Sequence, residues 1–353
     1  MNDRTRIVVA VCVTVLLFLA VQLGALALVE PFHEAEYQAV EDPEDPTNSL
    51  VYFGIILVAT AFMLAAFKFG GQILIRGLII GVSVMLAWFV FGEVVPPTVT
   101  YDGLNVVAAL AALSVGVGLL VYPEWYVIDL AGVLMGAGAA GLFGISFGLL
   151  PALVLLAVLA VYDAISVYKT KHMLSLAQGV MDLKIPVVFV VPTTLSYSYL
   201  STESTDGVIE DGSGERRDDA ESDRPATDGE GDGTHEAVDE ARDESTDDES
   251  AEGDLERDAL FIGLGDAVIP TILVASAAYF VDATTIDVPG IALNVPALGA
   301  IVGTIAGLLV LMYMVLQGRA HAGLPLLNGG AIGGYLVGAL ASGLSIATAL
   351  GLS

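Results

Sequence analysis

Long apolar stretches, separated by short polar or Gly/Pro-containing joints, cover most of the chain. They fall at residues 7–29, 49–69, 74–94, 104–122, 126–147, 151–168, 259–280, 296–317 and 325–351. Runs of roughly 18 or more apolar residues cross a bilayer as helices. The pattern therefore predicts an all-α fold, a polytopic membrane helix bundle with about nine transmembrane helices. Arg4 and Arg6 precede the first run as they would a signal peptide. That run is long for a signal sequence, and Ala25-Leu26-Ala27 is a weak cleavage site, so it reads as a retained helix.

The pattern breaks between the sixth and seventh runs. Residues 185–192, Ile-Pro-Val-Val-Phe-Val-Val-Pro, are too few to span a membrane, and β-branched residues between prolines favour an extended chain. Two readings stand: a short apolar linker lying on the bundle, or a strand that pairs with an unwound substrate. Residues 201–258 follow, rich in Asp, Glu, Ser, Thr and Gly, and cannot bury enough surface to offset chain entropy. The chain thus divides into an N-terminal membrane part (1–200), a disordered acidic loop (201–258) and a C-terminal membrane part (259–353).

Charge adds an orientation. If the N-terminus lies inside, all 13 basic residues fall on the cytoplasmic side, including Lys68, Arg76, Lys169, Lys171, Lys184 and Arg319. A helix count shifted by one scatters them over both faces. The arrangement puts the N-terminus and acidic loop in the cytoplasm and the C-terminus outside. The net charge of -28 argues against nucleic acid as a partner. Excess surface acid also fits a protein kept soluble in concentrated brine. With Cys12 the only cysteine and the four His scattered, neither a disulfide nor a metal site is expected.

Acids inside a bilayer cost on the order of 2.5–3.5 kcal/mol at the helix centre, so those that remain point to function. Asp163 and Asp266 are the two best placed. Asp163 precedes Lys169 by six residues on the inward-running sixth helix, and Asp266 follows Asp258 by eight on the outward-running seventh. At 1.5 Å per residue these are depths of about 9 and about 12 Å from the same face. A carboxyl pair at one level can share a proton, one member activating water and the other polarising a carbonyl. Two isolated acids, or an ion-binding pair, fit the depths equally well. Asp129 reads as a cap or a snorkelling side chain, and Glu93 as interfacial.

Tyr162-Asp163, followed on the next helix by Gly263-Leu264-Gly265-Asp266, resembles the YD and GxGD motifs of the presenilin and signal peptide peptidase group of intramembrane aspartyl proteases. The helix count and the long loop between the two motifs are similar too, so the resemblance covers essentially the whole chain. It implies that Asp163 and Asp266 are the catalytic residues. The family's third motif, Pro-Ala-Leu at the start of the last helix, is altered: Ala322-Gly323-Leu324-Pro325 stands there, with Gly323, Leu324 and Pro325 as the candidate substrate-positioning residues. A literal Pro296-Ala297-Leu298 opens the eighth helix and reads as coincidence. The inferred orientation matches the presenilin branch, most like an archaeal homologue.

The resemblance implies hydrolysis of peptide bonds within the transmembrane helices of single-span membrane proteins, in the lipid bilayer, without a metal or organic cofactor. The alternatives are an ion- or proton-coupled transporter or conduit using the same aspartates, and a catalytically silent scaffold. Substrate identity and oligomeric state are not legible.

Overall fold

A computed structural model describes residues 3–40, 42–167, 185–193, 259–317 and 322–352. The acidic loop, Lys169, Lys171, Lys184 and Arg319 lie outside the described residues. Among those described are α1 (Asp3–Glu34), α2 (Thr47–Lys68), α3 (Gln72–Val94), α4 (Val106–Val121), α5 (Trp125–Ser146) and α6 (Leu149–Ile165). After the gap come α7 (Leu264–Phe280), α8 (Val295–Val315), α9 (Gly323–Ala341) and the short α10 (Ile346–Ala349). Six of these helices are long and apolar enough to cross a membrane, and α4, α6 and α7 are shorter apolar helices. The nine predicted runs are all helical, and α1 packs its Phe18, Val21, Leu26 and Phe32 into the core.

Several boundaries differ from expectation, and three of the differences have a clear local cause. The fourth helix starts later than residue 104, because Thr100–Tyr101 (β1) and Leu104–Asn105 (β2) form a hairpin. Its turn is Asp102-Gly103, both at positive φ, the backbone that an Asp-Gly hairpin turn requires. Asn105 then caps α4 by accepting the Ala108 N–H. The last helix stops at Ala341 rather than near 351. Gly343 has φ +82, and the Leu344 N–H closes onto the Ala339 carbonyl, a Schellman stop.

The third difference bears on the site. Residues 259–263 are extended, so the seventh helix begins at Leu264 and not at 259. Ala259–Gly263 (β4) pairs antiparallel with Val188–Pro192 (β3), Val188 opposite Gly263 and Pro192 opposite Ala259. Residues 185–192 therefore do contain a strand, but it pairs with the chain's own β4.

Small residues decide how closely the helices approach. Lipid tails are as apolar as the side chains, so packing rather than water exclusion holds a membrane bundle together. Gly299, Gly303 and Gly307 of α8 lie directly against the backbone of α9, where Gly330, Gly334 and Gly338 face them. A Cβ at any of these would overlap the opposing backbone. α5, at the centre of the bundle, meets α7 in the same way: a Cβ on Gly144 would overlap Ala275. Beside this compact part α2 stays loosely attached, with only 6% of its span buried.

Candidate active site

The helices that carry the two aspartates are both 17 residues long. That is about 25 Å at 1.5 Å per residue, short of a hydrocarbon core of about 30 Å. Asp163 lies two residues before the end of α6, and Asp266 is the third residue of α7. The two carboxyls thus stand at the ends of short helices. The depth expected for Asp266 assumed helix from 258 onward, whereas the strand β4 covers most of that distance. Pro270, four residues after Asp266, has no N–H to donate, so the Asp266 carbonyl lacks its usual helical partner.

Both carboxyls converge on the start of α9. The Leu324 N–H donates to Asp163 Oδ2 at 3.1 Å, and the Gly323 amide also acts on this carboxyl. The residue before α9, Ala322, has no side chain to cap it, so Asp163 takes the capping role from another helix. From the other side, a Cβ on Gly323 would lie 3.4 and 3.5 Å from Asp266 Oδ2 and Oδ1. The backbone of Gly323-Leu324 is thus the point where the two carboxyls meet. Asp163 is only 4% exposed, and Asp266 is part-buried.

The other motif residues are placed more unevenly. A Cβ on Gly263 would meet Asp266 Oδ2 at 3.3 Å, whereas one on Gly265 would have Ile269 Cδ1 at 4.0 Å as its nearest described neighbour. Leu264 belongs to the core beneath α5. Tyr162 turns to α2, its ring edge-on to Phe53 with centroids 5.9 Å apart. Pro325 sits in the first turn of α9, where a missing N–H costs nothing. Pro296-Ala297-Leu298 opens α8 at the other end of α9, beside Gly338. Fifteen residues, about 22 Å of helix, separate Gly338 from Gly323.

Two polar residues act differently from expectation. Asp129 neither caps nor snorkels: it is 5% exposed, and its Oδ1 accepts the Val190 N–H of β3 at 2.8 Å. Asn328, in the stretch 326–330 whose sequence reads as helix packing, donates from Nδ2 to the Leu156 carbonyl at 2.9 Å and ties α9 to α6. Its spacing of four from Leu324 was the available signal, since it puts both residues on one helix face. Glu93, read as interfacial, accepts from Tyr37 at 3.0 Å. Burial, then the hydrogen bond and charge of Glu93, push the Tyr37 phenol above its ordinary pKa. Among the described residues no cluster of three or more metal-ligating side chains occurs.

A membrane bundle that brings one buried and one part-buried carboxyl to a common point at helix ends has the architecture of an intramembrane aspartyl protease. Sequence comparison agrees: the family described as signal-peptide peptidase, presenilin aspartyl protease matches residues 15–344, and the chain belongs to it. Two solved structures are similar. One, described as a presenilin family intramembrane aspartate protease in a C222 crystal form, has 31% identity and a TM-score of 0.60, covering 94% of this chain and 99% of its own. The other, a presenilin family intramembrane aspartate protease in a P2 form, has 33% identity and a TM-score of 0.57, covering 93% and 96%. No curated protein sequence matches. The protein is accordingly a membrane-embedded, multi-pass hydrolase of the intramembrane aspartate protease type, and nothing supports the transporter reading.

Proposed function

We propose that Asp163 and Asp266 are the catalytic pair, and that they cleave peptide bonds in the transmembrane segments of single-span membrane proteins. The observation that carries this is the convergence of both carboxyls on Gly323-Leu324 at the start of α9. Two carboxyls that serve one site can share a single proton. The ionised member takes a proton from water as the water oxygen bonds to the scissile carbonyl carbon. The protonated member donates to the carbonyl oxygen. The tetrahedral intermediate collapses as the first member passes its proton to the leaving nitrogen, the C–N bond breaks, and the hydroxyl formed on the former carbonyl oxygen returns its proton to the second member, which leaves the pair with a single proton again.

A helical substrate must first come in from the side and lose its own hydrogen bonds. An apolar groove of about 380 Å³ between α2 and α6, lined by Phe53, Ala157, Val158, Val161, Tyr162 and Ile165, reaches the turn that carries Asp163. The loosely held α2 is the element that yields to widen it. A second apolar cavity, about 540 Å³ between α2, α3 and α5, can take further substrate surface. Gly323, Leu324 and Pro325 position the substrate chain, the GxGD glycine Gly263 keeps the space beside Asp266 Oδ2 clear, and the Tyr162 ring borders the entry groove. The N-terminus and acidic loop face the cytoplasm and the C-terminus faces outward. Purified protein in detergent, incubated with a transmembrane peptide and no ion gradient, should yield two fragments by mass spectrometry. Asp266→Ala should yield none. Intact peptide with the wild type, or fragments with the variant, refutes the proposal.

A further inference from the structure

One face of α5 carries Asp129, Gly132 and Gly136, spaced by three and four residues, and each receives one part of the chain leading to Asp266. Asp129 Oδ1 accepts the Val190 N–H at 2.8 Å. The Phe189 ring fills the place beside Gly132, where a Cβ would stand 3.0 Å from Cε1. Leu264 fills the place beside Gly136, with Cδ1 3.2 Å from such a Cβ. Leu264 lies two residues before Asp266. The ladder explains why Val190 needs Asp129. The Leu264 N–H donates to the Val187 carbonyl at 2.8 Å, so the hydrogen-bonded pairs are 187/264, 189/262 and 191/260. The Val190 N–H then points away from β4, off the outer edge of β3. Unpaired in a buried site it would be costly, and Asp129 takes it.

We propose that Asp129 is a positioning residue for proteolysis. Its carboxyl anchors the β3–β4 ribbon to α5, and the ribbon, continuous with Leu264, sets where Asp266 stands relative to Asp163. The glycines below it admit Phe189 and Leu264, so side-chain contacts and hydrogen bond fix the same register. A ribbon slipped along α5 carries the start of α7 with it. A displacement of about 1 Å at a reacting group costs about 100-fold in rate. This proposal rests on the reading of Asp266 as catalytic.

The test uses the full chain in detergent: wild type, Asp129→Leu, Asp129→Asn, Gly132→Ala and an Asp266→Ala control. It measures kcat and KM for a transmembrane peptide, together with amide exchange across 187–190 and 260–264. Asp129→Leu should lower kcat about 100-fold with KM nearly unchanged, and those amides should exchange faster. Asp129→Asn keeps an oxygen acceptor for Val190 and should restore both kcat and protection. If Asp129→Leu does not fold, Gly132→Ala, which crowds Phe189, should lower kcat in the same way with KM unchanged. Wild-type kcat in Asp129→Leu, an Asp129→Asn as slow as Asp129→Leu, or a rate loss with unchanged exchange overturns the proposal. Cleavage by Asp266→Ala, or none by the wild type, refutes the catalytic reading instead. The exchange data then decide the anchor alone, and unchanged protection in Asp129→Leu overturns it.

Discussion

By the sequence resemblance Gly323 takes the place of an alanine in the family's third motif, and the structure says what an alanine there would do. A Cβ there would have Asp266 Oδ2 and Leu311 Cδ2 at 3.4 Å and Asp266 Oδ1 at 3.5 Å. These are ordinary van der Waals contacts, so Gly323→Ala fits without moving the carboxyl. Gly323 opens α9 without a positive φ, so losing the glycine's unfolded-state freedom should stabilise the protein by about 0.4–1 kcal/mol. Gly323→Val is different. Its two further methyls extend about 1.5 Å beyond that Cβ, and the space on that side holds the Asp266 oxygens and Leu311. Asp266 must shift by about 1 Å, at a cost of about 100-fold in kcat. Peptide cleavage measured beside thermal denaturation separates the two effects. Gly323→Ala should cleave within about threefold of wild type, and Gly323→Val should fold but cleave about 100-fold more slowly. A folded but inactive Gly323→Ala, or a fully active Gly323→Val, would refute the placement of Gly323 against Asp266.

The two glycines of the GxGD motif should differ: Gly263→Ala presses on Asp266 Oδ2 by a few tenths of an ångström and should lower kcat severalfold, by about three- to tenfold, whereas Gly265→Ala has room and should keep it; paired kinetics check this. Gly303→Leu drives a side chain into the Gly330 backbone and should destabilise the α8–α9 pair by about 1–3 kcal/mol or more, read as a lowered denaturation temperature. Replacing residues 203–250 by a short Gly/Ser linker should preserve folding and cleavage in low salt. That segment contains no candidate site residue, and loop length costs only about 0.6 kcal/mol per doubling. A shortened protein that folds but does not cleave would assign the loop a catalytic or gating role.

Hydropathy made the spans legible, because continuous apolar runs leave little choice of structure in a bilayer. The aspartates were legible for the converse reason: an uncompensated acid in such a run is costly. What escaped was pairing between distant segments. Ala-Leu-Phe-Ile-Gly at 259–263 is as apolar as the helix it precedes, and only its partner β3, about 70 residues earlier, makes it extended. The same partner gives Asp129 its role, since a buried carboxyl that accepts a backbone N–H from another segment leaves no local trace. The stop at Gly343 was signalled by Ser342-Gly343 but hidden in an otherwise apolar stretch. Rotation about the helix axes lies beyond periodicity in helices that are apolar all round. The motif resemblance pointed to the start of α9, but its contacts with each carboxyl come only from the packed bundle.

The central claim is that Asp163 and Asp266 act as one catalytic unit. The most direct measurement is the rate of transmembrane-peptide cleavage by Asp163→Asn, Asp266→Asn and the double variant, all shown to be folded. Groups that act as a unit are grossly non-additive. Asparagine can neither hold nor release the shared proton, so each single variant should lose as much activity as the double one. A single variant that keeps substantial cleavage, with the two losses adding up to that of the double variant, would show that the carboxyls act separately and would contradict the account.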